Sequence, residues 1–575
     1  MTTTIAEMIV AGLADLEVTH VWGVVGDALN PITDAIRRDD RIEWMGVRHE
    51  EVAAFAAGAQ SQLTGTIGVC MGTVGPGSIH LLNGLYDAKK SHAPVLAICG
   101  QVPSPEIGSD FFQEVDNNVV FRDVAEFCAT VTSAEQMPQL LEEAVNAAVS
   151  RQGVAVLTVP GDVGGLKLPN STAHPHFVAR DRTIIPGQAE VTETVDIINA
   201  ADKVTLLVGM GAREARAEVL QLAQTLQAPM VLTLKAKEGL EHDNPYEIGQ
   251  TGLLGNPAAN LALERCDVLF MVGTDFPYRD WYPSGKTVIQ LDTRIEHIGR
   301  RTSVGTALVG HCAPALRELL PKLRTNSDDK HLSKSQKEYQ LWRTAQQRLT
   351  DPTHDRKLVG RIRKHLDNPD ELIRPESVAA SVDRHAADDA IFTSDTGMST
   401  VWLARFVTMS GTRRLIGSFN LGSMANAMPQ ALGAQALDRG RQVVAFCGDG
   451  GLMMLLGDLR TAVTYDLPVT FVVFNNGRLG MVKLEQEQGG LPEFGTQLDN
   501  PDLAAVASAM GLESFRITDP DDVDEKIKEA LTQRKPVLLD ILTNPEEISL
   551  PPAPTVDQAW GFAIAKAKET LSSRE

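Results

Sequence analysis

Cys447-Gly448-Asp449-Gly450-Gly451, with Asn475-Asn476 beyond it, decides how this chain folds. The apolar run Val443–Phe446 predicts a buried strand that ends in a loop too glycine-rich to carry side chains. A helical stretch, about Leu452 to Thr464, separates it from a second apolar run, Val469–Phe474. In a parallel βαβ unit both strand ends open on one sheet edge, where doubly wound sheets bind ligands. Asp449 and Asn476 then stand side by side, next to glycines that let a phosphate approach backbone N–H groups. A carboxylate and an amide oxygen, joined by phosphate oxygens, suit Mg²⁺, which prefers an octahedral oxygen shell with few protein ligands. Gly-Asp-Gly or Asn-Asn alone is ordinary turn chemistry. At the two ends of one βαβ unit they point to a magnesium–diphosphate site.

Outward from this motif the chain repeats itself. Thr66–Met71 leads into Gly72-Thr-Val-Gly-Pro-Gly77, a helical stretch and then Ala93–Cys99, an order matched by Val443–Phe446, the Gly-Asp-Gly loop, a helix and Leu467–Val473. Residues 1–175 and 371–550 are therefore expected to be two copies of one α/β domain. Between them, at 189–325, Val204–Val208 enters the short turn Gly209-Met210-Gly211-Ala212 before the helical run Arg213–Leu226. Glu214 stands where a dinucleotide fingerprint has its third glycine, so this signal is weak by itself. Val288–Asp292 adds a strand ending in an acid suited to a ribose or adenine contact. Residues 326–370 read as a polar surface linker with an exposed helix, and 551–575 as a tail. The expected class is α/β, with three doubly wound parallel-sheet domains.

At 575 residues the chain is too long for one core. Its 43% hydrophobic and 22% charged content is that of an ordinary globular protein, and a net charge of −21 argues against nucleic acid as a partner. Cys70, Cys99 and Cys447 lie in or just after apolar runs and look like reduced core thiols. The start, Met1-Thr-Thr-Thr-Ile-Ala-Glu7, lacks a basic region followed by an apolar core, and no run approaches the roughly 20 apolar residues that cross a bilayer. A cytoplasmic location is the expectation.

Gly448-Asp449-Gly450 with Asn475-Asn476 resembles the diphosphate motif of thiamine-diphosphate enzymes. The resemblance implies Mg²⁺ held by Asp449, Asn476 and the backbone carbonyl of Arg478, and cofactor contacts from Gly26, Gly397, Gly422, Ser423, Gly448, Gly450 and Gly451. Upstream, Arg48-His49-Glu50-Glu51 opens the helical stretch Val52–Gln60 and matches that family's activating acid. Acidic residues also favour helix starts through the dipole alone. The family role for Glu50 is a hydrogen bond to the aminopyrimidine ring of the cofactor, beside Gly26. In Leu421-Gly422-Ser423-Met424-Ala425, Met424 matches the bulky residue wedged beneath the cofactor.

Across the whole chain the resemblance is nearest to the pyruvate oxidase and quinone-dependent pyruvate dehydrogenase branch. It is carried by strings such as Asn244-Pro-Tyr-Glu-Ile-Gly249, Thr251-Gly-Leu-Leu-Gly255 and Gly273-Thr-Asp-Phe-Pro-Tyr278. In that branch the central Rossmann-like domain binds FAD, which implies contacts from Gly209, Gly211, Ala212, Gly252, Gly273, Thr274, Asp275, Phe276, Asp292 and Ile298. His311 departs from the acid usual after Gly310. Met481-Val-Lys-Leu-Glu485 carries an acid where acetolactate synthases have a tryptophan, and His80, Phe112 and Gln113 match residues of the same pocket. The implied reaction is oxidative decarboxylation of pyruvate to acetate and CO₂, with electrons passing from reduced FAD to a quinone. Formation of acetyl phosphate, an acetolactate-synthase-like carboligase with structural FAD, and a non-catalytic nucleotide sensor are the alternatives. The family also implies a homotetramer built as a dimer of dimers. In quinone-dependent relatives an amphipathic tail binds lipid; here Trp560, Ile564, Ala567 and Leu571 share one helical face, an arrangement equally suited to a helix docked on its own core. Peripheral contact with the inner face of the cell membrane is expected only in the first case.

Overall fold

A computed structural model describes residues 3–169, 175–177, 183–356, 368 and 370–547. Three six-stranded sheets, parallel at every strand pair, follow one another along the chain. The first runs from edge to edge through Glu43–Gly46, His20–Gly23, Gly68–Gly72, Val95–Gln101, Val154–Pro160 and Ala125–Thr130. The third has the same local order: Arg414–Gly417, Ile391–Ser394, Val443–Gly448, Val469–Asn475, Val537–Leu542 and Glu513–Ile517. The repeat legible in the sequence is thus a repeat of topology. The middle sheet differs. Its order is Thr306–Val309, Thr287–Asp292, Val268–Val272, Val204–Val208, Met230–Leu232 and Glu247–Gln250, the strand order of dinucleotide-binding folds.

In each sheet the order reverses between two central strands, and the loops leaving those strands flank a crevice. The third sheet's crevice lies between Ile391–Ser394 and Val443–Gly448, with Asp395-Thr396-Gly397 on one side and Asp449 on the other. In the middle sheet it lies between Val204–Val208 and Val268–Val272. There Gly211 N–H donates to Gly273 O at 3.0 Å, and a β-carbon at residue 209 would sit 2.3 Å from that oxygen. Only glycine allows these two loops to meet so closely.

The first and third sheets are joined by helices Glu50–Thr64 and Ala427–Leu437, which pack alanine and glycine faces together. A β-carbon at Gly433 would lie 2.4 Å from Ala56 O, and Gln60 Nε2 donates to Gly433 O at 3.1 Å. The abundance of small residues has its explanation in this near contact of backbones.

Three local readings are corrected. Leu452–Thr464 is not one helix: helix Asp449–Met454 gives way to the 3₁₀ turn Leu456–Asp458 and then helix Leu459–Thr464. The break turns Asp458 inward, where its carboxylate accepts from Arg48 N–H and Thr461 Oγ1 at 2.8 and 2.7 Å. The run from Arg213 begins as a 3₁₀ turn, Met210–Ala215, and becomes α-helical at Arg216. The stretch read as linker contains helix Lys330–Gln347, docked on the middle unit through buried Leu332 and Ser335, with His331 Nε2 2.9 Å from Thr205 Oγ1. The tail stripe of Trp560, Ile564, Ala567 and Leu571 lies outside the described residues. Cys70, Cys99, Cys266, Cys312 and Cys447 are buried free thiols. Among the described residues no helix is long and apolar enough to cross a membrane.

Candidate active site

The crevice of the third sheet opens into a cavity of about 240 Å³. Gly397, Gly422, Met424, Gly448, Asp449, Gly450, Gly451, Asn476 and Arg478 line it, so most of the predicted diphosphate set converges. A β-carbon at Gly397 or Gly448 would meet no atom within 4 Å; both face open space, as a cradle for a phosphate requires. Ser423 stands just behind this wall, donating to Met424 O and accepting from Asn83 Nδ2, each at 2.8 Å. Ala425, next to Met424, has φ of +62° while buried, a costly conformation for a residue with a β-carbon.

Asp449 Oδ2 accepts from Gly477 N–H at 2.8 Å and Asn500 Nδ2 at 2.7 Å, and its Oδ1 from Gly450 N–H at 2.9 Å. Burial pushes this carboxyl up to about 6, against those hydrogen bonds. A cation shared with Asn476 Oδ1 would offset the cost of the buried charge, and an oxygen-only donor set suits Mg²⁺. The two asparagines part company: Asn475 is buried and donates to Asp540 Oδ1 at 2.8 Å, while Asn476 faces the cavity. Arg478 N–H donates to Asn476 Oδ1 at 3.0 Å, setting the turn that would present the Arg478 carbonyl. Residues, cradle and donor chemistry together fit a magnesium diphosphate.

The sequence reading missed Asp395. This buried carboxyl lines the cavity and ties its rims together, accepting from Ala427 N–H at 2.8 Å and Gly448 N–H at 3.0 Å. Burial pushes it up to about 7. Its signal was an acid and a glycine, Asp395-Thr-Gly397, just after the short strand-forming run Ile391-Phe-Thr-Ser394, a pattern akin to Gly-Asp-Gly one strand away.

Glu50 is placed elsewhere. It is buried at the start of helix Glu50–Thr64, capped by His49, whose Nδ1 accepts from Glu51 N–H at 3.2 Å. His80 Nδ1 lies 2.9 Å from Glu50 Oε2, and the His49 and His80 rings stack with centroids 4.4 Å apart. Gln113 lies in the same quarter, its carbonyl 2.7 Å from a β-carbon built on Gly75, and Phe112 beside it is 78% exposed. Gly26 meets Thr73 across the first sheet's crevice. Neither Glu50 nor His80, Phe112, Gln113 or Gly26 lines the cavity that holds Asp449. Glu485, on helix Gly480–Gln488, does.

In the middle unit, Gly209, Gly211, Ala212, Gly273 and Thr274 gather at the crevice, and Asp275 pairs with Arg300. Gly252 (φ +86°) lies against the Phe276 ring. Asp292 ends its strand with Oδ1 accepting from Arg294 N–H at 2.9 Å, and half-buried Ile298 follows the turn Ile295–His297. His311, in place of the expected acid, accepts from Ile184 N–H through Nδ1 at 2.9 Å and so anchors the chain entering this unit.

Comparison with known proteins agrees with this arrangement. The thiamine pyrophosphate enzyme N-terminal, central and C-terminal domain models match residues 3–120, 191–319 and 395–541. The Bacillus subtilis (strain 168) protein named "putative thiamine pyrophosphate-containing protein YdaP" is 38% identical over 97% of this chain and 94% of its own. Pyruvate oxidase of Lactiplantibacillus plantarum is 32% identical over 92% of this chain and 88% of its own. The large subunit of acetolactate synthase isozyme 2 from Escherichia coli (strain K12) is 31% identical over 93% and 95%. Sheet order, cavity chemistry and full-length similarity lead to one conclusion: this chain belongs to the thiamine pyrophosphate enzyme family.

Proposed function

We propose that this protein catalyses oxidative decarboxylation of pyruvate to acetate and CO₂ in the cytoplasm, with FAD on the middle sheet and a quinone taking the electrons onward. The observation that carries this reading is Glu485 on the wall of the reaction cavity, where acetolactate synthases have a tryptophan. A carboxylate there leaves no aromatic face for a second ketoacid and can hold or pass a proton. The dinucleotide strand order and the acid Asp292 at a strand end support a flavin nucleotide on the middle sheet.

Thiamine diphosphate supplies an electron sink for the pair left by CO₂, and FAD a two-electron acceptor. The chain's own work is placement. Asp449, Asn476 and the Arg478 carbonyl would hold Mg²⁺ and diphosphate, Met424 would pack against the cofactor, and Glu50, steadied by His80, would hydrogen-bond its ring. Since Glu50 and Asp449 do not share a cavity within one chain, a second copy completes each site. Phe112 (78%), Phe494 (85%) and Met454 (63%) are large apolar side chains left exposed, available to such a contact. Two such dimers make the expected tetramer.

An anaerobic absorbance scan of the flavin band, before and after pyruvate with thiamine diphosphate and Mg²⁺, tests the reading. Bleaching is the expected result. A yellow protein that stays yellow and forms acetolactate would establish the carboligase instead, a reading favoured by the similar identity to acetolactate synthase. Acetyl phosphate appearing only when phosphate is present would replace acetate as the product.

A further inference from the structure

Helix Gly480–Gln488 sends Met481, Val482 and Glu485 to the cavity wall. Lys483, on the same helix, points the other way, its side chain only 1% exposed. An interior lysine must be paired to keep its charge, and an apolar side chain would fill the space without that desolvation cost. Here Nζ donates to Glu546 Oε1 at 2.6 Å and lies 4.0 Å from Glu493 Oε2. Glu493 also accepts from Arg478 and Thr496, and Arg478 Nη2 is 3.9 Å from Glu546 Oε1. These four charges come from four separate segments: the turn after Asn476, the helix, the loop beyond it, and the exit of strand Val537–Leu542. Gly480 makes the helix's approach tight, for a β-carbon there would lie 2.9 Å from Met398 Cγ and 3.1 Å from Asn476 Nδ2.

We propose that Lys483 is a positioning residue: pinned to Glu546 and Glu493, it fixes helix Gly480–Gln488 against the cavity and so sets the reach of Glu485 and Met481. The effect on catalysis rests on the reaction proposed above; the effect on the helix does not. Removing the pin frees the helix while the Asp449 side of the site keeps its grip on the cofactor.

The test compares Lys483→Met and Lys483→Arg with the unaltered chain. In cofactor-free protein, amides of residues 480–488 should exchange with solvent about tenfold faster in Lys483→Met, with the third sheet's strands unchanged. With thiamine diphosphate and Mg²⁺, kcat on pyruvate should fall about tenfold or more, while cofactor Kd and pyruvate KM stay within about threefold. Lys483→Arg, which keeps the charge, should recover most of both. Unchanged exchange in Lys483→Met overturns the proposal, as does a folded Lys483→Arg no better than Lys483→Met. If Lys483→Met fails to fold, Glu546→Gln takes its place: faster exchange at 480–488 supports the pin, and unaltered exchange overturns it. If the unaltered chain binds cofactor without turning over pyruvate, the proposed function falls, and exchange alone decides the role of Lys483.

Discussion

A β-carbon on residue 451 would lie 2.4 Å from Asp395 Oδ2, the same oxygen that accepts Gly448 N–H at 3.0 Å. The Gly-Asp-Gly-Gly loop is therefore glycine at 451 for a neighbour's sake: it leaves room for the carboxyl that sets the loop's position. Gly451→Ala should cost about 1–3 kcal/mol of local overpacking and weaken thiamine diphosphate binding by about tenfold or more. Isothermal titration of the purified variant with thiamine diphosphate and Mg²⁺ measures it. Affinity equal to the unaltered chain would show that Asp395 moves aside freely.

Glu50 does not line the cavity that holds Asp449 in the same chain, which makes complementation informative. Glu50→Gln should bind cofactor yet lose about 10²-fold or more in turnover, the scale of general acid–base help. Asp449→Ala should lose Mg²⁺ and cofactor together. Unfolded and refolded as an equal mixture, the two variants should regain about a quarter of the active sites, since each mixed pair has one site with both residues intact. Activity no higher than the sum of the separate variants would place both residues within one subunit's site.

Glu485→Trp removes the acid and restores an aromatic wall. Acetate formation from pyruvate should fall and acetolactate should appear, measured by product analysis under anaerobic conditions. A variant that loses acetate formation without making acetolactate would show that position 485 alone does not direct the second substrate.

Asp87 gives a pH dependence with a defined sign. Buried on helix Leu82–Lys90, it accepts from Gln430 Nε2 at 2.9 Å, and burial pushes its carboxyl from 3.8 to about 6. The folded state thus holds this proton more tightly than the unfolded chain. Asp87's contribution is full below pH 3.8 and is lost as pH rises through about 6. The loss amounts to about 3 kcal/mol at most, from 1.36 kcal/mol per pKa unit. Asp87→Asn, which needs no proton, should show a flatter decline of stability than the unaltered chain between those limits. Denaturant melts at several pH values read the difference; parallel curves would mean that Asp87 ionises without penalty.

Much of this was legible along the chain. Each apolar run that ends in glycine became a parallel strand, and the two halves proved to share strand order, because strand length, side-chain pattern and glycine at strand ends act locally. Asp449, Asn476 and Glu485 could be singled out because each stands in or just after a short motif at the end of an apolar run, and all three line one cavity. Other residues could not be found that way. Asp395 gains its role from a strand more than fifty residues before Gly448, through the reversal of strand order between them. Lys483 reads as one more polar position on an amphipathic helix until Glu493 and Glu546 fold around it. The break after Met454 lets Asp458 meet the backbone of Arg48, over four hundred residues away, a contact no local pattern announces. By itself, the sequence determined the class of sheet and the family. Tertiary structure alone decided which carboxylates are buried, which are paired, and that Glu50 does not line the cavity holding its own chain's Asp449. Those properties depend on desolvation and on contacts between distant segments, and neither exists until the chain has closed on itself.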